Sequence, residues 1–220
     1  MPTDPPRVEP TGTQRAAELA LSLAALTGSL VLNNWAGRMA DAAGLKAHSS
    51  PDLLLSWLPV VDTRLVFVWG FAVFLTWLIV ASIWRERRRI PYIIWSYALL
   101  IAVRCFFIIL TPMRQPYEAI QFQSDFLFHA IGRYLTFRHD LFFSSHTALP
   151  FLGCLLLRGR WLRASFFLLS VVMACAVLLG RLHYSIDVFG AYFMTYAVHK
   201  AEVRWFQPYY NKLKLRWLAR

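Results

Sequence analysis

Hydrophobic residues gather in six long runs along the chain, and short polar segments separate one run from the next. A helix of about twenty apolar residues is long enough to cross the hydrocarbon core of a membrane, which is roughly 30 Å thick. The pattern therefore predicts an all-α, polytopic membrane protein with six transmembrane helices in one bundle. The predicted spans cover residues 16–34, 64–84, 92–111, 142–157, 162–182 and 184–198.

The polar segments between the spans differ in charge, and this difference predicts the orientation of the chain. Arginine is concentrated in residues 85–89 and 158–163, and further cations follow in the C-terminal tail. With six spans these segments and the N-terminus share one side, which the positive-inside rule makes cytoplasmic. We therefore expect cytoplasmic termini, with a disordered stretch over 1–15, a membrane domain over 16–200 and a basic amphipathic tail over 201–220.

The composition narrows the class of protein further. The chain is 58% hydrophobic and its mean hydropathy is +0.46, above the values of an ordinary soluble domain. Its net charge of +11 lies in loops between apolar runs, which is typical of contact with anionic lipid headgroups and not of a nucleic-acid-binding face. The frequent arginine and alanine favour a bacterial inner membrane over a plasma membrane or endomembrane of a eukaryote.

Two polar clusters interrupt the apolar pattern at places where polar side chains are costly. Residues 144–147 (Ser-Ser-His-Thr) open the fourth span, and residues 183–188 (His-Tyr-Ser-Ile-Asp-Val) lie at the junction of the fifth and sixth. An ionisable side chain at the centre of a membrane helix costs about 2.5–3.5 kcal/mol on insertion scales, so it usually marks a function. One helix in and one helix back separate the two histidines, which places both on the extracytoplasmic face.

The types and the spacing of these residues favour phosphoryl transfer. His183 and Asp187 are four positions apart and share one helix face, where the carboxylate can fix the imidazole tautomer and stabilise a phospho-imidazole. His146 can approach from the facing helix as a general acid, and cations must surround the phosphate oxygens. The candidate residues are His146, His183 and Asp187 for catalysis, Arg104, Arg138, Arg181, Ser144 and Tyr184 for binding the phosphate, and Asp62 and Asp140 as organisers of the site.

The same residues resemble the motifs of a known family. Residues 140–147 (Asp-Leu-Phe-Phe-Ser-Ser-His-Thr) resemble the D-x-x-x-S-G-H-T motif of the sphingomyelin synthases, and residues 183–188 resemble their H-Y-T-x-D-V motif. Arg104 and Thr111 fit the R-x6-T pattern that ends the family's third span. Residues 59–62 (Pro-Val-Val-Asp) look like a P-x-x-D element in its first outer loop.

The sphingomyelin synthases form part of the type 2 phosphatidic acid phosphatase (PAP2) superfamily, and the resemblance carries specific expectations. It implies a PAP2-like helical bundle with no cofactor and no metal. It also implies transfer of a phosphocholine or phosphoethanolamine headgroup from a glycerophospholipid to ceramide or a similar lipid alcohol. In that mechanism His183 is the nucleophile that becomes a phosphohistidine, Asp187 orients it, and His146 moves the proton. The implied partners are a phospholipid donor and a lipid alcohol acceptor, and a homo-oligomer is compatible.

Three other functions use the same residues differently. A PAP2-type lipid phosphatase, or a hydrolase like phospholipase C, would pass the phosphohistidine to water. A zinc site could use His146, His183 and Asp187, since two histidines and one carboxylate suit zinc. A transporter could relay protons through them, but it would need polar residues along several spans, and spans one, two and five are nearly unbroken apolar sequence.

Overall fold

A computed structural model of the chain describes residues 12–120 and 137–206, and the regular secondary structure in these two ranges is helical throughout. The helices are α1 (Gly12–Gly44), α2 (Leu53–Trp57), α3 (Arg64–Arg85), α4 (Ile90–Leu110), α5 (Ser145–Leu156), α6 (Arg160–Leu179) and α7 (Ser185–Ala201). A 3-10 turn (Arg87–Arg89) precedes α4, and a π-helical turn (Glu202–Phe206) continues α7. The all-α prediction is confirmed.

Each predicted span corresponds to one helix, but the helices differ in length. Four segments of the described chain are long and apolar enough to cross a membrane: Gly12–Gly44, Arg64–Arg85, Arg87–Leu110 and Arg160–Leu179. Helix α5 has 12 residues and therefore a length of about 18 Å, and α7 has 17 residues and a length of about 25 Å. The structure therefore supports an integral membrane protein, and the count of six spans stays a prediction.

Helix α1 extends beyond the predicted first span at both ends. It begins at Gly12, within the stretch expected to be disordered, and it continues past Asn34 as far as Gly44. The side chain of Asn34 accepts a hydrogen bond from Arg38 Nε (2.9 Å) one turn later, so a residue that favours loops is accommodated within the helix. Residues 1–11 and 207–220, which hold most of the predicted disordered stretch and amphipathic tail, lie outside the described ranges.

Helix α5 lies at the centre of the bundle, where α6 and α7 pack against it, while α1 packs along α4 and α3 packs along α6. A shared core of fully buried side chains joins α3 to α7, and it includes Phe74, Leu100, Leu152, Phe166 and Ala191. A Cβ atom at Gly153 would lie 2.6 Å from the Phe166 ring, so the absence of a side chain there lets α5 and α6 approach closely. This packing fixes the position of the polar residues at the start of α5.

The two ends of the bundle both contain buried polar residues. At one end, which we call the triad end, α5 and α7 begin with His146, His183 and Asp187 near their N-termini. At the other, which we call the arginine end, Glu86 accepts hydrogen bonds from Arg89 Nη1 (3.0 Å) and from the Arg158 backbone N–H (3.0 Å). The triad end is the side predicted to face away from the cytoplasm.

Candidate active site

The N-termini of α5 and α7 are joined directly at the triad end. The backbone N–H of Ser144 donates a hydrogen bond to the backbone carbonyl of Asp187 (3.1 Å), one residue before α5 begins. This contact brings His146 close enough to His183 for the two imidazoles to interact electrostatically. Helix N-termini carry partial positive charge, so two of them side by side favour an anion such as phosphate. At the start of α7 the N–H groups of Tyr184 and Ser185 are already bound by the carboxylates of Asp187 and Asp52.

His183 and Asp187 form a buried pair, as their spacing predicts. Nδ1 of His183 lies 3.4 Å from Oδ2 of Asp187, and the Asp187 side chain is fully buried. Oδ2 of Asp187 also accepts a hydrogen bond from the Tyr184 backbone N–H (2.9 Å), which fixes the carboxylate at the start of α7. Because Nδ1 faces the carboxylate, Nε2 is the nitrogen of His183 that can attack a substrate.

Two atoms of this pair lack hydrogen-bond partners in the described part of the chain. They are Nδ1 of His183 and Oδ1 of Asp187, and both are inaccessible to solvent. At 3.4 Å the contact between ring and carboxylate exceeds the usual hydrogen-bond length of about 2.9–3.0 Å. Such contacts in enzymes without substrate often shorten when the substrate binds. The pair is therefore positioned near the geometry in which a carboxylate supports a nucleophilic imidazole.

Aromatic rings of α3 hold His146 in place. Its ring stacks on Phe67 with centroids 3.9 Å apart and lies at a tilt to Phe71 at 4.8 Å. Its Nδ1 is 3.5 Å from the hydroxyl of the neighbouring Ser145, at the limit of a hydrogen bond. The ring plane is thus fixed mainly by packing, and no tight hydrogen bond among the described residues occupies either ring nitrogen.

Arg104 is buried in α4 and binds the loop that leads into α5. Its guanidinium forms a bidentate pair with Asp140, with Nη2–Oδ1 and Nη1–Oδ2 distances of 2.6 and 3.0 Å. Nε donates to the Phe143 carbonyl (2.6 Å), Nη2 also donates to the Asp140 carbonyl (3.3 Å), and Nη1 also donates to Asn33 Oδ1 (3.4 Å).

These contacts occupy all the N–H donors that an arginine has. Direct phosphate binding, the role that the sequence suggested for Arg104, does not fit this geometry. The role of organiser suggested for Asp140 does fit, because the Arg104–Asp140 pair fixes the residues immediately before Ser144. The positive charge of Arg104 still reaches His146 electrostatically, although the guanidinium does not face an open site.

Arg181 ends helix α6 in a conformation that is unusual for an arginine. Its φ is 55°, and its N–H donates to the Leu178 carbonyl while the Leu182 N–H donates to the Val177 carbonyl. This pair of bonds is the Schellman motif, in which glycine is the usual residue at the left-handed position. The turn directs the chain from α6 towards His183.

The side chain of Arg181 is only partly used by the protein. Its Nη2 donates to the Leu58 carbonyl (3.1 Å), but its buried Nε has no hydrogen-bond partner among the described residues. A guanidinium two residues before His183 with an unpaired buried donor is suited to an anionic ligand. Of the three arginines that the sequence suggested for phosphate binding, Arg181 has the geometry that fits this role best.

Tyr184 has a different role from the predicted one. It is 3% exposed, and its hydroxyl donates to the Arg114 carbonyl (2.8 Å) and accepts from the Ser50 backbone N–H (3.0 Å). Both functions of the hydroxyl are therefore occupied by loop backbone. Tyr184 holds the outer loops against the start of α7, which leaves its hydroxyl unavailable to a phosphate.

The remaining candidates occupy varied positions. Ser144 is fully buried next to Thr147, whose hydroxyl donates to it (3.4 Å), and Arg138 is exposed on the loop before α5. Asp62 is exposed and pairs with Arg64 (2.6 Å), whose guanidinium lowers the pKa of Asp62 to about 2. Asp62 therefore organises only the start of α3.

The structure adds Asp52, which the sequence interpretation missed. Its Oδ1 caps α2 by accepting from the Leu55 N–H (3.0 Å), and its Oδ2 accepts from the Ser185 N–H (2.7 Å) at the start of α7. Burial acts to raise the pKa of Asp52, but these hydrogen bonds outweigh it and hold the pKa below the ordinary value. An aspartate directly before the apolar residues 53–55 is a helix-cap signal that could have been recognised.

The zinc alternative gains no support from the geometry. Within residues 12–120 and 137–206, no group of three or more histidine, cysteine, aspartate or glutamate side chains is arranged to hold a metal ion. His183 and Asp187 face each other, whereas His146 is held against the α3 rings. The site therefore consists of a histidine–carboxylate pair and a separately packed histidine of α5.

Comparison with known protein families gives one match, and it covers the part of the chain that contains the candidate site. Residues 139–203 match the family described as PAP2 superfamily C-terminal, and this segment contains His146, His183 and Asp187. The match supports membership of the PAP2 superfamily, whose proteins are usually phosphatases or phosphotransferases. No curated protein matches the chain significantly. The four helices that are long and apolar enough to cross a membrane accompany this match and support an integral membrane protein.

Proposed function

We propose that the protein is a lipid phosphotransferase that moves a phosphorylated headgroup through a phosphohistidine at His183. The observation that carries the proposal is the buried His183–Asp187 pair, joined to the start of α5 by the hydrogen bond from Ser144 to Asp187. A single histidine at this depth could be structural, but two imidazoles and a carboxylate at adjoining helix N-termini supply the groups that phosphoryl transfer needs.

In the first half-reaction, Nε2 of His183 attacks the phosphorus of the donor lipid. A nitrogen–phosphorus bond forms, the bond from phosphorus to the diacylglycerol oxygen breaks, and His146 donates a proton to that oxygen. The Asp187 carboxylate stabilises the positive charge that develops on the His183 ring, because it lies against Nδ1 at 3.4 Å. Arg181 and the N-termini of α5 and α7 stabilise the phosphate oxygens.

In the second half-reaction, His146 accepts the proton of an incoming lipid hydroxyl. The hydroxyl oxygen attacks phosphorus, the nitrogen–phosphorus bond breaks, and His183 returns to its neutral form. We propose phosphocholine or phosphoethanolamine as the headgroup and ceramide or a similar lipid alcohol as the acceptor, on the extracytoplasmic side of a bacterial inner membrane. The resemblance to sphingomyelin synthases supports these choices, and the match to the PAP2 superfamily supports the broader class.

The experiment that tests the proposal follows both the intermediate and the product. Purified protein in liposomes receives phosphatidylcholine, phosphatidylethanolamine or phosphatidate with a labelled phosphate, together with fluorescent ceramide or diacylglycerol. We expect an acid-labile, alkali-stable label on the denatured wild-type protein and none on His183→Ala, together with a headgroup-bearing acceptor lipid.

The products separate the proposed transferase from its rivals. Release of free headgroup phosphate without an acceptor product would make the protein a hydrolase with the same intermediate. Turnover with an equally labelled His183→Ala protein would remove His183 as the nucleophile. Loss of activity with EDTA that added zinc restores would replace the proposed mechanism with a metal-dependent one.

A further inference from the structure

A pocket of about 410 Å³ lies between α2 and the first turn of α7. Its walls include Asp52, Leu53 and Trp57 from the start and end of α2, together with Met113, Tyr184 and Ser185. Tyr184 directly follows His183 in the chain. The pocket is therefore lined by the two residues that follow the proposed nucleophile in the chain, and Asp52 in its wall accepts a hydrogen bond from one of them, Ser185.

The charge of the pocket is negative. Of the described residues that line it, Asp52 alone carries a charge, and no arginine or lysine is among them. The hydrogen bonds to the Leu55 and Ser185 N–H groups keep Asp52 ionised at neutral pH, because they stabilise its carboxylate form. Such a pocket repels an anionic group and attracts a cation.

The remaining walls suit a cation that carries apolar groups. Trp57 is 73% exposed and is one of the residues that line the pocket, and the largely buried Tyr184 also borders it. Aromatic faces attract cations, and recognition of ammonium groups is a common use of such rings. Leu53 and Met113 add apolar surface that methyl or methylene groups can contact. Among the described residues, a lone metal cation would find one carboxylate in this pocket and no further charged ligand.

We propose that this pocket, which we call the Asp52 pocket, binds the cationic amine end of the donor headgroup while the phosphate of the same headgroup lies at His183. The inference rests on the proposed transferase function and deepens it, because it makes Asp52 and Trp57 the residues that select zwitterionic donors over anionic ones. Asp52 also fixes the distance between the two subsites, since its carboxylate joins α2 to the Ser185 N–H.

The test compares two donor lipids that differ only in the charge of the headgroup. One is phosphatidylcholine, and the other carries a 3,3-dimethylbutyl headgroup, in which carbon replaces the quaternary nitrogen. We expect wild-type kcat/KM to favour phosphatidylcholine by about tenfold, and the ratio to fall to near one in Asp52→Asn and to decrease in Trp57→Leu. Asp62→Asn is the matched control, because it removes an exposed carboxylate that follows α2 and does not line the pocket.

A purely structural role for Asp52 would give a different result. Asp52→Asn would then slow both donors by the same factor and leave their ratio at the wild-type value, which would overturn the inference. Trp57→Leu guards against misfolding, since the highly exposed Trp57 contributes little to the core. If the ratio of kcat/KM for the two donors stays at the wild-type value in both Trp57→Leu and Asp52→Asn, the pocket is excluded as the headgroup subsite.

A binding measurement separates failure of this inference from failure of the proposed function. Phosphocholine and 3,3-dimethylbutyl phosphate are titrated into wild type and Asp52→Asn in detergent, with saturation-transfer NMR as the readout. A preference for phosphocholine that wild type shows and Asp52→Asn lacks supports the Asp52 pocket, even if no lipid is converted. The absence of lipid conversion would make the transferase proposal fail. Lipid transfer without any such preference would overturn the inference and leave the transferase standing.

Discussion

Helix α7 has a histidine–carboxylate pair at each end, and the two pairs have very different surroundings. At its N-terminal end, Nδ1 of His183 is 3.4 Å from Oδ2 of Asp187. At its C-terminal end, Nδ1 of His199 is 4.0 Å from Oε2 of Glu202. Both histidine nitrogens are buried without a hydrogen-bond partner in the described ranges. The pairs themselves are therefore similar in type and in burial.

Their neighbours distinguish them. The N-terminal pair adjoins a second histidine, a partly used arginine and two helix N-termini, all of which favour a phosphate. The C-terminal pair lies at the negative end of the helix dipole, and Oε1 of Glu202 accepts a hydrogen bond from the Ser96 hydroxyl (2.7 Å). A histidine–carboxylate pair does not by itself define an active site, because the surrounding charges and open donors decide what it can bind.

The largest expected effect separates the two histidines. His183→Ala should lower lipid phosphotransfer by at least about a thousandfold, because it removes the nitrogen that we propose as the nucleophile. His199→Ala, the matched control on the same helix, should retain activity within about a factor of two. Rates in liposomes measure the effect, and thermal unfolding of both variants verifies folding. Comparable losses in the two variants would show that the two ends of α7 do not differ as proposed.

Substitution of the two carboxylates, Asp187 and Glu202, should also affect activity unequally. The difference should be smaller than the one between the two histidine variants. Asp187→Asn keeps an oxygen for the Tyr184 N–H but removes the charge that stabilises the His183 ring, so kcat should fall by about 10²–10⁴ with little change in KM. Glu202→Gln should leave kcat nearly unchanged, since it lies at the arginine end. Steady-state kinetics on both variants provide the comparison. Wild-type kcat in Asp187→Asn would remove Asp187 from the mechanism.

A third comparison tests the turn that presents His183. Arg181→Gly and Arg181→Ala both remove the guanidinium, so both should lower kcat/KM by about ten- to a hundredfold if it binds phosphate. Only the glycine variant suits the left-handed φ of 55°, so it should be more stable than the alanine variant by about 1 kcal/mol. Chemical denaturation measures the stability difference. Near-complete activity in Arg181→Gly, with loss in Arg181→Ala, would assign the effect to the backbone.

The smallest expected effect is on the pH dependence of folding stability, through Glu202 at the arginine end. Burial raises the pKa of Glu202 to about 7, and the Ser96 hydrogen bond and Arg89 reduce the rise only in part. A raised pKa means that the folded state binds the proton more tightly than the unfolded state. The stabilisation is therefore fully present below the ordinary pKa of 4.5 and is lost as pH rises through about 7.

Glu202→Gln should flatten this pH dependence, because the amide can still accept the Ser96 hydrogen bond but cannot titrate. Unfolding temperatures between pH 5 and pH 8 for wild type and variant provide the measurement. An identical decline in both proteins would assign the pH dependence to other groups. Asp62→Asn is a suitable control, since Asp62 is already ionised across this range.

The sequence predicted the elements better than it predicted the contacts between them. Apolar periodicity located every long helix, because hydrophobic runs and their polar breaks are local features. It placed the end of α1 too early, since Asn33 and Asn34 look like loop residues until their partners are known. Asn33 in fact accepts from Arg104, and Asn34 accepts from Arg38. A contact from α4 to Asn33 and a contact from the next turn of α1 to Asn34 thus overrode the local preference.

The sequence by itself determined the all-helical architecture, and the four-residue spacing predicted the contact between His183 and Asp187. The structure makes this contact across the N-terminus of α7, since His183 lies two residues before the helix begins. Only the tertiary structure decided the roles of residues whose partners are distant in the chain. Arg104 is bound to Asp140, the Tyr184 hydroxyl is held by loop backbone, and Asp52 joins α2 to α7. The physical reason is that a side chain's open donors depend on which helices pack around it, and packing between distant segments is not encoded in local periodicity.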